Sequence, residues 1–109
     1  MIELPLHRIA HARSGDKGNR LNIGVIAHRR ENYRVLAEQV TAERVAALFA
    51  HRGCGAVRRY ELPQLGALNF VIDDALEGGV NGSLNLDGHG KTLAFLLLTL
   101  TVIVDDRLS

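Results

Sequence analysis

Cysteine and aromatic residues are scarce in this 109-residue chain, and each scarcity excludes a class of protein. The single cysteine, Cys54, has no second thiol with which to pair, so the chain has no internal disulfide framework. Only five aromatic residues occur, the net charge is +1, and no nucleic-acid-reading motif is present. We therefore expect no nucleic-acid partner.

Long apolar runs are also missing. The longest one covers residues 93–104, includes two threonines, and is 12 residues long. A membrane-spanning helix needs about 20 apolar residues, so no such segment is expected. Pro5, His7 and Arg8 interrupt any basic-then-apolar signal pattern at the N-terminus. The sequence predicts a soluble, cytoplasmic protein.

Composition and length are those of one ordinary globular unit. Apolar residues make up 47% and charged residues 23% of the chain, which argues against disorder. Soluble domains usually contain about 100–200 residues, so we expect a single domain over residues 1–109. A chain of this length can bury a core without disulfides or metals.

Charge is distributed unevenly between the two halves. Residues 1–60 contain eleven Lys/Arg and five Asp/Glu, a net charge of +6, whereas residues 61–109 contain two and seven, a net charge of −5. Most of the basic residues are arginines, which bind carboxylates and phosphates through a planar fork. The halves either neutralise each other within a fold or dimer, or the first half holds an anion site.

Hydrophobic periodicity predicts a mixture of strands and helices without strict alternation. We expect strands over residues 2–9, 20–28 and 56–62, with a last strand following a short helix at 89–97. We expect helices over residues 31–52, either two short ones with Thr41 as an N-cap or one kinked helix, and over residues 66–77. The predicted fold is α+β, with two layers: a single sheet with helices on one face.

The polar segment at residues 13–19 is the first candidate site. Its two glycines let backbone N–H groups converge on an anion. In this interpretation Asp16 and Lys17 are the candidate catalytic pair, in which Asp16 orients Lys17 or acts as an acid or base. The candidate ligand-binding residues here are Arg13, Ser14, Gly15, Gly18 and Asn19. A tight turn of solvated residues explains the same segment without any ligand.

A glycine-rich stretch near residue 90 is the second candidate. Gly90-Lys91-Thr92 ends like a phosphate-binding loop, but Asn85 stands where that motif requires glycine, so the match fails. The stretch still offers His89 as a general base and Lys91 as an anion ligand. The start of a helix with exposed polar residues is the alternative.

The remaining polar residues give weaker signals. Asn69 lies in an apolar run, where it satisfies a backbone group, faces solvent or points at a ligand. Asp73 and Asp74 fit a solvated face. The five histidines show no ligand spacing, so we expect no metal site, and no cofactor motif is present.

Taken together, several runs of the chain resemble the small C-terminal domain of the acyclic-terpene-utilisation protein AtuA. The resemblance follows the same order over nearly the whole chain and rests on the residue runs 12–19, 22–27, 40–45, 65–70, 78–80 and 87–93. It implies a ferredoxin-like α+β sandwich with a mostly antiparallel sheet. The matched runs include Asn22 and Asn69, which join the candidate ligand-binding residues.

The resemblance also implies a role. It points to an accessory subunit of a larger AtuA-like chain, in bacterial breakdown of terpenoid or branched acids handled as acyl-CoA thioesters. The alternative is a small enzyme (a hydratase, lyase or isomerase) acting alone on an acyl-CoA or a short carboxylic acid. Whether the chain is an enzyme stays open. A homo-oligomer, dimer or higher, is a third expectation, with the apolar residues 93–104 as the candidate interface.

Overall fold

Strands and helices follow one another along the chain without strict alternation. The computed structural model describes residues 1–17, 20–50, 55–73 and 93–105, with the backbone alone at 16 and 17. The strands are β1 (Ile2–Pro5), β2 (Ala10–Lys17), β3 (Arg20–Ala27), β4 (Val57–Leu62), β5 (Ala67–Ile72) and β6 (Thr101–Val104). The helices are α1 (Tyr33–Gln39), α2 (Ala42–Phe49) and α3 (residues 93–97).

Two antiparallel sheets are present in the described part of the chain. The larger one has the strand order β2-β3-β5-β4, and the smaller one is the ribbon β1-β6. Helix α1 contacts β3, β5 and β6, and α2 contacts β4. This confirms the predicted α+β fold with a mostly antiparallel sheet.

The core lies on one face of the four-stranded sheet, because apolar residues alternate along its two central strands. In β3, Leu21, Ile23 and Val25 are buried. Across the ladder they face Ile72, Phe70 and Leu68 of β5, which are also fully buried. The other side of the core comes from the helices and the ribbon, through Leu36, Val45, Phe49, Leu93, Leu97, Val102 and Val104.

The two short helices predicted within residues 31–52 are confirmed over the described range. The Thr41 hydroxyl accepts a hydrogen bond from the Arg44 backbone N–H at 3.1 Å, so Thr41 is the N-cap of α2. Glu43 lies in the first turn of α2, where the helix dipole favours an anion.

The helix expected over residues 66–77 is wrong, because this segment begins with strand β5. Leu68, Phe70 and Ile72 alternate along the strand, whereas Leu68, Val71 and Ile72 fit the spacing of a helix, and a short apolar run does not distinguish the two. Strand β5 pairs with β3 on one side and with β4 on the other, which satisfies its backbone groups. Gly66, with a φ of 62°, adopts the left-handed conformation that joins the preceding 3-10 turn to the strand.

The loop expected over residues 13–19 is also wrong in its extent. Residues 13–17 continue strand β2, and the ladder with β3 runs to the pair Lys17 and Arg20. Gly15 lies opposite Asn22, and a Cβ placed on Gly15 would meet no atom within 4 Å. Pairing with β3 thus overrides the turn-forming composition of the segment.

The apolar residues 93–104, the candidate oligomer interface, are divided between the core and the surface. Leu93, Leu97, Val102 and Val104 are buried in the core. The described part of the predicted helix at 89–97 is α3, and β6 follows it as predicted. Phe95 and Ile103 of the same segment stay exposed, at 71% and 48%.

Candidate functional site

The face of the four-stranded sheet opposite the core is the candidate site, and we call it the open face. Its positions follow from the strand register, which sets Arg13 of β2 and Asn69 of β5 on either side of Gly24 of β3. Tyr60 of β4 lies opposite Asn69 in turn. The central positions of this face are only half-buried, whereas those of the core face are fully buried.

A concavity of about 410 Å³ lies at the centre of the open face, and we call it the Gly24 concavity. Its lining mixes one arginine, one histidine and one amide with aliphatic side chains. The residues that line it are His11, Arg13, Gly24, Ile26, Leu62, Leu65, Ala67, Leu68 and Asn69.

Asn69, a predicted ligand-binding residue that lines this concavity, contacts a second one, Asn22. The Nδ2 of Asn69 donates a hydrogen bond to the Oδ1 of Asn22, at 3.3 Å, between strands β5 and β3. A Cβ on Gly24 would lie 4.0 Å from the Oδ1 of Asn69 and 3.9 Å from the Cδ1 of Ile26. These are ordinary contact distances, so packing would admit a side chain at Gly24.

Arginines lie at the centre of the open face and toward the end where β3 begins. The Nε of Arg20 lies 3.0 Å from the Oδ1 of Asp73, and the Nη2 of Arg58 lies 3.3 Å from the same oxygen. Arg13 is the third arginine on this face. Among the described residues, Asp73 supplies the single carboxylate that lies there with them. The open face therefore carries a positive balance that favours an anionic ligand or an acidic partner surface.

Two histidines stack beside the concavity. The ring centroids of His11 and His28 are 5.5 Å apart, with 22° between the ring planes. Both residues are exposed, and His28 follows β3 directly.

A second concavity, of about 550 Å³, lies between β2 and α3. Arg13 and Ser14 line it together with Phe95, whose side chain is exposed. It contains two of the residues singled out in the sequence, but its other lining residues are the aliphatic Ala12, Ala94 and Leu98.

The other predicted site residues are placed only in part. The backbone of Asp16 and Lys17 lies in β2, opposite Leu21 and Arg20. Both residues therefore lie in a strand, and not in the loop in which they were expected to act. Four further candidates lie outside the described residues: Gly18, Asn19, His89 and Lys91.

Tyr33 is a half-buried tyrosine whose pKa is shifted. Burial raises the pKa of Tyr33, the negative charge of Glu61 raises it further, and Arg59 lowers it. The Tyr33 hydroxyl and the Oδ1 of Asn32 have no hydrogen-bond partner within the described part of the chain. They lie on the helical side of the sheet, away from the open face.

Metal-ligand clusters are absent from residues 1–17, 20–50, 55–73 and 93–105, where no three His, Cys, Asp or Glu side chains come together. None of the helices described here has the length and the apolarity to cross a membrane.

Sequence reasoning missed the apolar residues of the open face. Tyr60, Leu62 and Leu65 received no role, because their neighbour β5 was expected to be a helix. Interpreting residues 67–72 at period two would have predicted the hairpin of β4 and β5, and with it the face that these residues share.

Comparison with known protein families identifies one match. The family model of the AtuA ferredoxin-like domain matches residues 4–103. This match agrees with the α+β architecture of antiparallel sheets and helices. Neither the curated proteins nor the solved structures contain a match to the chain.

Proposed function

This chain belongs to the family of AtuA ferredoxin-like domains, and from that premise we propose that it is an accessory subunit of a larger AtuA-like protein. The process in which it serves is bacterial breakdown of terpenoid or branched acids handled as acyl-CoA thioesters. The open face is the surface through which it binds the larger chain.

The observation that carries this proposal is the group of large apolar side chains at one end of the open face. Tyr60 is 47% exposed, Leu62 39% and Leu65 67%. Ile26 lines the same concavity as Leu62 and Leu65, so the apolar surface is continuous. Contiguous exposed apolar surface rimmed by polar groups is typical of a protein interaction site.

Charge at the rim indicates the chemistry of the partner. Arg13 lies beside the apolar group, Arg20 and Arg58 lie farther along the face toward the end where β3 begins, and only Asp73 offsets them among the described residues. A partner with an apolar patch beside an acidic one fits this surface, because complementary charge favours encounter and orientation.

The test is capture of a larger AtuA-like chain from the same source by the tagged small chain, followed by native mass spectrometry. We expect a stoichiometric complex. Leu65→Asp and Tyr60→Asp should each abolish capture, because they place a carboxylate in the desolvated centre of the interface.

Phe95→Asp is the matched control. Phe95 is 71% exposed, close to the 67% of Leu65, but it lies on α3 and not on the open face. Capture that survives both open-face variants, or that Phe95→Asp abolishes equally, contradicts the proposal. All three variants should keep the thermal transition of the unmodified chain within a few degrees.

A small enzyme acting alone is the second candidate, favoured by the placement of Arg13 and Asn69 around one concavity, with Asn22 bonded to Asn69. It predicts turnover of an unsaturated acyl-CoA by the isolated chain, measured by absorbance. The expected homo-oligomer stays a prediction, and the mass of the isolated chain in the same spectrometer tests it.

A further inference from the structure

Gly24 occupies a position in the middle of β3 that costs stability without a local steric reason. Glycine in the interior of a strand makes the folded protein less stable than alanine does, because the glycine backbone loses more conformational freedom on folding. The neighbours of Gly24 leave room for a Cβ, since the three nearest atoms would lie at 3.9 to 4.0 Å. Because Gly24 has no side chain, the open face is recessed at this position, and the recess is part of the Gly24 concavity.

The concavity has two chemically different ends. Arg13 lies opposite Gly24 in the ladder on one side, and His11 lies next to it on the same face of β2. Ile26, Leu62 and Leu65 form the other end. Such a site fits an amphipathic molecule with one anionic end and an aliphatic body.

We infer that the Gly24 concavity binds an aliphatic carboxylate as the free acid anion, with its carboxylate on Arg13 and its chain over Ile26, Leu62 and Leu65. This inference deepens the proposed function, and it rests on that proposal for the assignment of the open face as a binding surface. The ligand would lie between the subunit and its partner.

The headgroup chemistry follows from Arg13. A guanidinium offers two parallel N–H groups that match the two oxygens of a carboxylate. The Asn69 amide donates to Asn22, at 3.3 Å, and its Oδ1 lies 4.0 Å from the Cβ position of Gly24, so we assign the carboxylate to the Arg13 side of the concavity. An ester or thioester at the same place would lose the negative charge that the arginine recognises.

The size and the lining of the concavity fit the aliphatic end. A volume of about 410 Å³ lies within the range of small-molecule sites. Ile26 is half-buried, and Leu62 and Leu65 are exposed, so a ligand chain laid over them removes apolar surface from water. The binding energy therefore comes from both ends of the ligand.

The test titrates the full-length, ¹⁵N-labelled chain with sodium octanoate below its micelle concentration and follows the amide signals by NMR. We expect saturable shifts at Gly24 and Asn69. Arg13→Gln should weaken binding at least tenfold, the usual loss when a charge-assisted hydrogen bond is removed. Gly24→Val places a side chain in the Gly24 concavity and should abolish binding.

Arg34→Gln is the control for charge. Arg34 is an exposed arginine on α1, on the helical side of the sheet, and its variant should bind octanoate like the unmodified chain. Methyl octanoate and acetate are the ligand controls, and each should bind at least tenfold more weakly. The inference is overturned if octanoate gives no saturable shift, if Arg13→Gln and Arg34→Gln bind alike, or if the methyl ester binds as well as the acid.

The two proposals fail separately. If the chain captures the larger protein but shows no octanoate shift, the ligand proposal is overturned and the subunit proposal stands. If the chain binds octanoate but captures no larger protein, the subunit proposal is overturned and the ligand proposal stands.

Discussion

Two adjacent arginines of β4 differ in what they contribute, because they lie on opposite faces of the sheet. Arg59 lies on the helical side, where its Nη1 donates to the carbonyl oxygens of Ala37 at 2.8 Å and Val40 at 3.1 Å. These carbonyls stand at the C-terminal end of α1, where a cation is favoured. Arg58 lies on the open face, half exposed, with Asp73 as its partner.

We therefore predict that Arg59→Ala destabilises the protein by about 1–2 kcal/mol, since it removes charge-assisted hydrogen bonds to two partly buried carbonyl groups. Urea denaturation followed by circular dichroism measures this change.

Arg58→Ala is the matched control from the neighbouring position. Exposed ion pairs contribute about 0–1 kcal/mol, so we expect a smaller loss than for Arg59→Ala. Equal losses in the two variants would show that the helix-end contacts of Arg59 add nothing to stability.

At the scale of elements, the junction of α1 and α2 is tied to β6. The Nε2 of Gln39 donates to the Ile103 carbonyl at 2.6 Å, and its Oε1 accepts from the Ile103 N–H at 2.7 Å. Arg44 donates to the carbonyls of Gln39 and Thr101, at 2.9 and 2.8 Å. The start of α2 therefore fixes how the ribbon and the helices meet.

The Thr41 cap is the local part of this junction that a point mutation can isolate. Thr41→Ala should cost about 1 kcal/mol, because the Arg44 N–H loses its acceptor at the start of α2. Chemical denaturation gives the free energy of unfolding. Thr41→Ser keeps a hydroxyl at the same place and should retain most of the stability, and a serine variant as unstable as the alanine variant would contradict the capping role.

At the scale of the whole molecule, Tyr33 makes stability depend on alkaline pH. Burial, together with the charge of Glu61, raises the pKa of Tyr33 in the folded protein above its ordinary value of 10.0. Above pH 10 the unfolded chain releases the tyrosine proton while the folded chain keeps it. The contribution of Tyr33 to stability is thus complete below pH 10 and is lost as the pH rises further.

We predict that the unmodified chain loses more stability between pH 9 and pH 11 than Tyr33→Phe does, as measured by thermal unfolding. At pH 7 the two should differ by less than about 1 kcal/mol, because the Tyr33 hydroxyl has no hydrogen-bond partner in the part of the chain that the structure describes. Tyr60→Phe, at an exposed position on the open face, is the control. If it alters the alkaline transition as much as Tyr33→Phe, the buried hydroxyl is not the cause.

The sequence by itself determined what depends on local chemistry. Thr41 before an apolar-periodic segment predicted the start of α2, and the alternation of Leu21, Ile23 and Val25 predicted β3. The runs of residues that resemble AtuA predicted the family, which the match over residues 4–103 confirms. Each of these signals is carried by residues close together in the chain.

Only the tertiary structure decided which partners the ambiguous segments take. Residues 67–72 fit a helix or a strand, and pairing with β3 and β4 selects the strand. The polar composition of residues 13–17 predicts a turn, but antiparallel pairing with β3 makes them part of a strand. The open face joins Arg13, Gly24, Leu62 and Asn69, and sequence periodicity does not specify which strands become neighbours, because the contacts between them are long-range.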